Sequence, residues 1–93
     1  MAKLIQINTK SDNRGSLSII ENNKDIPFDI NRVFYIYNVP DRNIERGGHR
    51  HKKTRMALIC LNGSCIIENN DGENSQKFVL DSADKCLLLL LSI

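Results

Sequence analysis

Residues 55–68 read RMALICLNGSCIIE, two apolar runs on either side of Asn62-Gly63. Asn-Gly is the dipeptide best suited to a two-residue type I′ turn, where both central residues take positive φ. The stretch predicts a β-hairpin with Leu61 opposite Ser64 and Cys60 opposite Cys65. A second hairpin is expected from CIIEN (65–69) and QKFVL (76–80), closing around Asp71-Gly72. KCLLLLLSI (85–93) then reads as a last strand. Its consecutive leucines would project to both faces, so it must be covered on both.

Working upstream, the same strand grammar holds. RVFYIYNV (32–39) is rich in β-branched and aromatic residues and is closed by Pro40. KLIQIN (3–8) and LSIIE (17–21) are short extended runs, with the turn chemistry of SDNRGSL (11–17) between them. NNKD (22–25) makes a further polar turn before IPFDI (26–30). No window of about eleven residues carries helical periodicity. Short strands separated by turns describe an all-β sandwich or barrel, and 93 residues allow one small domain spanning 1–93. The leucine strand comes so close to the end of the chain that its cover is expected from elsewhere. Either the domain continues beyond this stretch or a second subunit supplies the missing neighbour.

Composition narrows the function classes. Thirteen Lys and Arg against eleven Asp and Glu leave a net charge of +2, too small to argue for nucleic acid. The leucine tail is far shorter than the roughly 20 apolar residues a membrane span needs. Three unevenly spaced cysteines do not make a disulfide framework, and the N-terminus lacks a signal-peptide pattern. A reducing, cytoplasmic location is the expectation, with Cys60 and Cys65 as neighbouring buried thiols.

The basic residues nevertheless gather in one place. Arg46, His49, Arg50, His51, Lys52, Lys53 and Arg55 fall together around Gly47-Gly48. They read either as a solvated loop or as a pocket for an anion such as a nucleotide diphosphate. On an extended segment His49 and His51 share a face while Arg50 points away. A metal site would need more ligands, and these are the only two histidines. Met56 stands where a metal-binding version of the strand would place a carboxylate. Acid–base catalysis asks for less, because imidazole titrates near neutral pH. Two loop histidines without a task are the third reading.

DNRGSL (12–17), IPFDINRVFYIYNVP (26–40), RGGHRHKK (46–53) and LICLNGSC (58–65) together resemble, in order and spacing, the cupin-fold dTDP-sugar 3,4-ketoisomerases. The resemblance implies a cupin-type jelly roll or β-barrel, of which this chain would be the N-terminal two-thirds, incomplete at its C-terminus. It implies a homodimer using no metal and no organic cofactor. The implied reaction moves the keto group of dTDP-4-keto-6-deoxy-D-glucose from C4 to C3 through an enediolate. The implied site has His51 as principal base, His49 as its partner at the neighbouring carbon, and Tyr37 as a proton relay or hydroxyl ligand. Arg14, Tyr35, Arg46 and Lys53 are the implied substrate contacts, Arg14 toward the diphosphate or an oxyanion. A non-catalytic nucleotide-sugar-binding module is the alternative.

Overall fold

The computed structural model describes residues 2–45, 55–70 and 75–89. Seven strands run in chain order: β1 Ala2–Gln6, β2 Asn8–Asp12, β3 Gly15–Ile19, β4 Met56–Leu58, β5 Cys65–Asn70, β6 Ser75–Leu80 and β7 Lys85–Leu89. No helix occurs among the described residues, as the all-β reading expects. The strands form one three-stranded sheet, β1-β7-β4, and two antiparallel hairpins, β2-β3 and β5-β6. Among the described residues these sheets do not close into a barrel.

β7 is the centre of the fold. It pairs antiparallel with β1 from Ala2↔Leu89 to Gln6↔Lys85, and with β4 from Met56↔Leu89 to Leu58↔Leu87. Both ladder neighbours of the leucine strand thus come from this chain, and its described part needs no second subunit beside it. Cys86, Leu87 and Leu88 are all buried, so both faces are covered. Cys86 and Leu88 share a core cluster with Ile7, Ile26 and Phe28, against which Ala57 and Ile59 also pack. Leu87 points the other way, and β6 packs along β7 and ends in the equally buried Leu80. Burying one such leucine is worth roughly 1.5–3 kcal/mol.

Polar side chains hold the loop that delivers Ile26 and Phe28 beneath this sheet. The Glu21 amide donates to Asp25 Oδ2 at 2.8 Å, and the Ile30 amide donates to Asn22 Oδ1 at 3.2 Å. Asn23, at φ +57°, takes the left-handed conformation that Asn tolerates and donates from Nδ2 to Asp29 Oδ1 at 2.6 Å. At the β1–β2 junction the Ile7 amide donates to the Asp84 carbonyl at 2.7 Å.

Two sequence expectations need correction. β4 and β5 are not a hairpin: β4 pairs β7, and β5 pairs β6 from Cys65↔Leu80 to Asn70↔Ser75. The leucine strand offers β4 a buried neighbour that a local hairpin cannot match. At the turn, Gly63 has φ +76° but Asn62 does not join it at positive φ, which rules out type I′. The second correction concerns 32–39, which joins no ladder among the described residues. Val33, Phe34, Tyr35, Ile36, Tyr37 and Val39 are exposed, because β propensity yields a strand only where a partner lies alongside. β5 and β6 pair the two runs expected to form the second hairpin, while its turn (71–74) lies outside the described residues.

Leu87→Ala should lower stability by about 2–5 kcal/mol, the range for truncating a buried leucine. Leu17→Ala, on an exposed hairpin face, should change it by less than about 0.5 kcal/mol. Urea unfolding followed by circular dichroism reads both; equal effects would refute the central place of β7.

Candidate functional site

The basic segment leaves one anchored turn and enters another anchor. Before it, the Asn43 amide donates to Asp41 Oδ1 at 2.8 Å and the Ile44 amide to the Asp41 carbonyl at 3.1 Å. This is an Asx-type turn directly after Pro40. After it, the Arg55 guanidinium lies 5.3 Å from the centroid of the buried Phe28 ring, and β4 begins at Met56. His49, His51, Arg46 and Lys53 themselves lie outside the described residues. Met56 and Arg55 fix where the segment meets the sheet.

Tyr35 and Tyr37 come together as alternation in the sequence requires. Their ring centroids are 5.6 Å apart at an interplanar angle of 36°. Both rings are exposed, at 75% and 69%. Two tilted phenols side by side offer an apolar platform with hydroxyls at its rim, suited to a sugar or base.

Arg14 stands elsewhere, in the β2–β3 turn. Its Nη2 donates to Asp12 Oδ2 at 2.7 Å and its backbone amide to Asp12 Oδ1 at 2.8 Å. Gly15 closes this turn at φ +128°. The Arg14 hydrogen bonds hold the Asp12 carboxyl below the usual carboxylate range, and Asp12 in turn raises Arg14. The pair is exposed, so an incoming anion can exchange for Asp12 at little cost.

Sequence reading passed over a hydroxyl-rich hollow. Register places Thr9 opposite Ser18 and Ser11 opposite Ser16. Their oxygens are 2.8 Å and 2.7 Å apart, and they line a hollow of about 290 Å³ with Ser82 and Asp84. Asp84 accepts from Ser82 Oγ and from Gln6 Nε2, and these bonds lower its pKa in that order. The signal was the alternation Thr-x-Ser and Ser-x-Ser on facing strands, visible once the Asn13-Arg14 turn fixes the register. Among the described residues no three His, Cys, Asp or Glu side chains gather as a metal site would require.

The family described as "FdtA: WxcM-like, C-terminal" matches residues 1–93. The chain belongs to this family. The TDP-4-oxo-6-deoxy-alpha-D-glucose-3,4-oxoisomerase of Aneurinibacillus thermoaerophilus is 48% identical over 80 residues. That match covers 86% of this chain and 57% of the curated relative. Solved structures of 3,4-ketoisomerases share the fold. The WlaRB TDP-quinovose 3,4-ketoisomerase of Campylobacter jejuni is 43% identical with a TM-score of 0.90, covering 97% of this chain and 68% of that one. A histidine-to-asparagine mutant of the 3,4-ketoisomerase QdtA from Thermoanaerobacterium thermosaccharolyticum, in complex with TDP-4-keto-6-deoxyglucose, is 39% identical. Its TM-score is 0.91, with 97% of this chain and 64% of that chain covered. No helix among the described residues is long and apolar enough to cross a membrane.

Arg14→Ala should return the Asp12 pKa upward toward an ordinary carboxylate value. In the parent, the stability Asp12 contributes is present above its unfolded pKa and fades as pH falls through the lower folded value. NMR titration of the Asp12 side-chain carboxyl reads the shift. An unchanged Asp12 titration in the variant would mean that the ion pair does not form in solution.

Proposed function

We propose that this chain is a metal-independent dTDP-sugar 3,4-ketoisomerase, moving the keto group of dTDP-4-keto-6-deoxy-D-glucose from C4 to C3. The observation that carries the reading is the 48% identity to a curated 3,4-oxoisomerase, supported by several ketoisomerase structures of the same fold. The reaction needs a base at C3, an acid at C4 and positive charge beside the enediolate oxygen. His51 is assigned as the base and His49 as its partner at the adjacent carbon, both in the basic segment that leads into Arg55. Tyr37 relays a proton or holds a sugar hydroxyl, with Tyr35 packed beside it. Arg14, Arg46 and Lys53 take the diphosphate and oxyanion charge. The thioether of Met56 supplies no carboxylate, which favours acid–base chemistry without a metal.

The same reading takes residues 1–93 as one cupin-like domain of jelly-roll type, working in the cytoplasm on a small-molecule dTDP-sugar rather than on nucleic acid or a membrane. It takes the active form as a homodimer. Exposed Val33, Phe34 and Ile36 support this, as apolar surface that a second copy would cover. Binding without turnover is the second reading, favoured by the partial span of 57% of the curated relative.

Incubation with the 4-keto nucleotide sugar, followed by NMR, should show the carbonyl migrating to C3 with solvent deuterium entering at C3 and C4. His51→Asn should slow this by about 10²–10⁴, the usual worth of general acid–base catalysis. An equally active variant would remove His51 from the chemistry. Calorimetric binding without migration in the parent would select the binding module.

A further inference from the structure

Asn62 is the only asparagine of the chain that is followed by glycine. The fold does not use the pair as its sequence invites. β4 ends at Leu58 and β5 begins at Cys65, so Asn62-Gly63 lies outside every ladder. Leu61, Asn62, Gly63 and Ser64 are all exposed. Among the described residues no hydrogen bond holds the Asn62 side chain or the Gly63 amide. A side chain added at Gly63 would meet nothing within 4 Å.

Other asparagines are placed differently. Asn22 Oδ1 accepts from the Ile30 amide at 3.2 Å, and Asn23 Nδ2 donates to Asp29 Oδ1 at 2.6 Å. Asn38 is exposed, but the β-branched Val39 follows it and crowds the next backbone nitrogen. Only at Asn62 do an open amide and a bare neighbouring nitrogen meet.

We propose that Asn62 is a site of spontaneous deamidation, passing through a succinimide to aspartyl and isoaspartyl products. The Gly63 nitrogen attacks Asn62 Cγ, the Cγ–Nδ2 bond breaks, and ammonia leaves with the proton that Gly63 gives up. Water then adds to one of the two ring carbonyls. Opening at Cγ gives the aspartyl form. Opening at the former backbone carbonyl gives the isoaspartyl form, whose main chain runs through Cβ and Cγ. Water is consumed and ammonia released, with no oxidant or reductant. Glycine favours the attack because it carries no Cβ beside its nitrogen. The attacking nitrogen must lose its proton, so the rate rises with pH.

The isoaspartyl form changes what Cys60 meets. Its thiol, reduced and half-exposed, donates from Sγ to the Asn62 carbonyl at 3.4 Å. In that product the carbonyl has become a carboxylate, and a thiolate beside it would be repelled. Reactions of Cys60 that run through the thiolate therefore slow. The formal net charge falls from +2 by one, and one extra backbone atom enters the link between β4 and β5. The core does not draw on residues 61–64, so the sheet tolerates the longer link. This ageing proceeds whether or not the chain turns over a nucleotide sugar.

The test is to incubate the native chain at rising pH in heavy-oxygen water and follow intact mass and peptide maps. The expected result is replacement of one NH by one solvent oxygen, confined to the Asn62-Gly63 peptide and faster at higher pH. Electron-transfer fragmentation should show both aspartyl and isoaspartyl products. Asn62→Gln should keep its mass, because its longer side chain would have to close a larger ring. Alkylation of Cys60 by iodoacetamide, measured against Cys65, should slow in the isoaspartyl fraction. Unchanged mass, first modification at another asparagine, aspartyl product alone, or undiminished Cys60 alkylation would overturn the proposal. None of these readouts uses isomerase activity, so failure here and failure of the enzymatic reading are separable.

Discussion

The structure depends on one strand having neighbours on both edges. β7 draws its ladder partners from two distant parts of the described chain, β1 at the start and β4 past the middle. Its residues Cys86, Leu87 and Leu88 are buried in succession, which a strand allows only when both of its faces are covered. Remove that pairing and little else brings β1 to β4. The β2-β3 arm and the β5-β6 hairpin are each held mainly by their own ladders.

That constraint reaches the candidate site through β4. Leu58 sits opposite Leu87, and Met56 opposite Leu89, so the register of a buried strand decides where Arg55 emerges. Arg55 then caps the Phe28 ring, whose own position is set by the hydrogen-bonded loop from Glu21 to Ile30. The basic segment enters the sheet from a point fixed on two sides. The proton-transferring role proposed for His51 would need such support, because small displacements cost large factors in rate. The tyrosine pair and the Arg14–Asp12 pair are exposed by contrast, and suit contacts that form with a ligand rather than before it.

Much of this was legible in the residues, for reasons that can be named. The strand class and the β5-β6 hairpin followed from alternation and turn chemistry, and the double burial of the leucine strand from its unbroken apolar run, all of which are local. The turn at Asn13-Arg14 and the facing of Tyr35 with Tyr37 are local too. The Asn62-Gly63 hairpin failed because a distant buried strand outcompeted a strong local signal. RVFYIYNV failed as a strand because nothing in its own residues says whether a partner lies beside it. The hydroxyl row went unseen because single serines carry no signal until register pairs them. The family was legible from spaced motifs, since their combination is far more specific than any one of them.

Hydrogen exchange of the native chain tests the central claim most directly. The account predicts that the β7 amides at Cys86, Leu87 and Leu88 exchange only on global unfolding, while those of Val33 to Tyr37 exchange quickly. Rapid exchange across β7, or protection of 33–37 equal to it, would contradict the account.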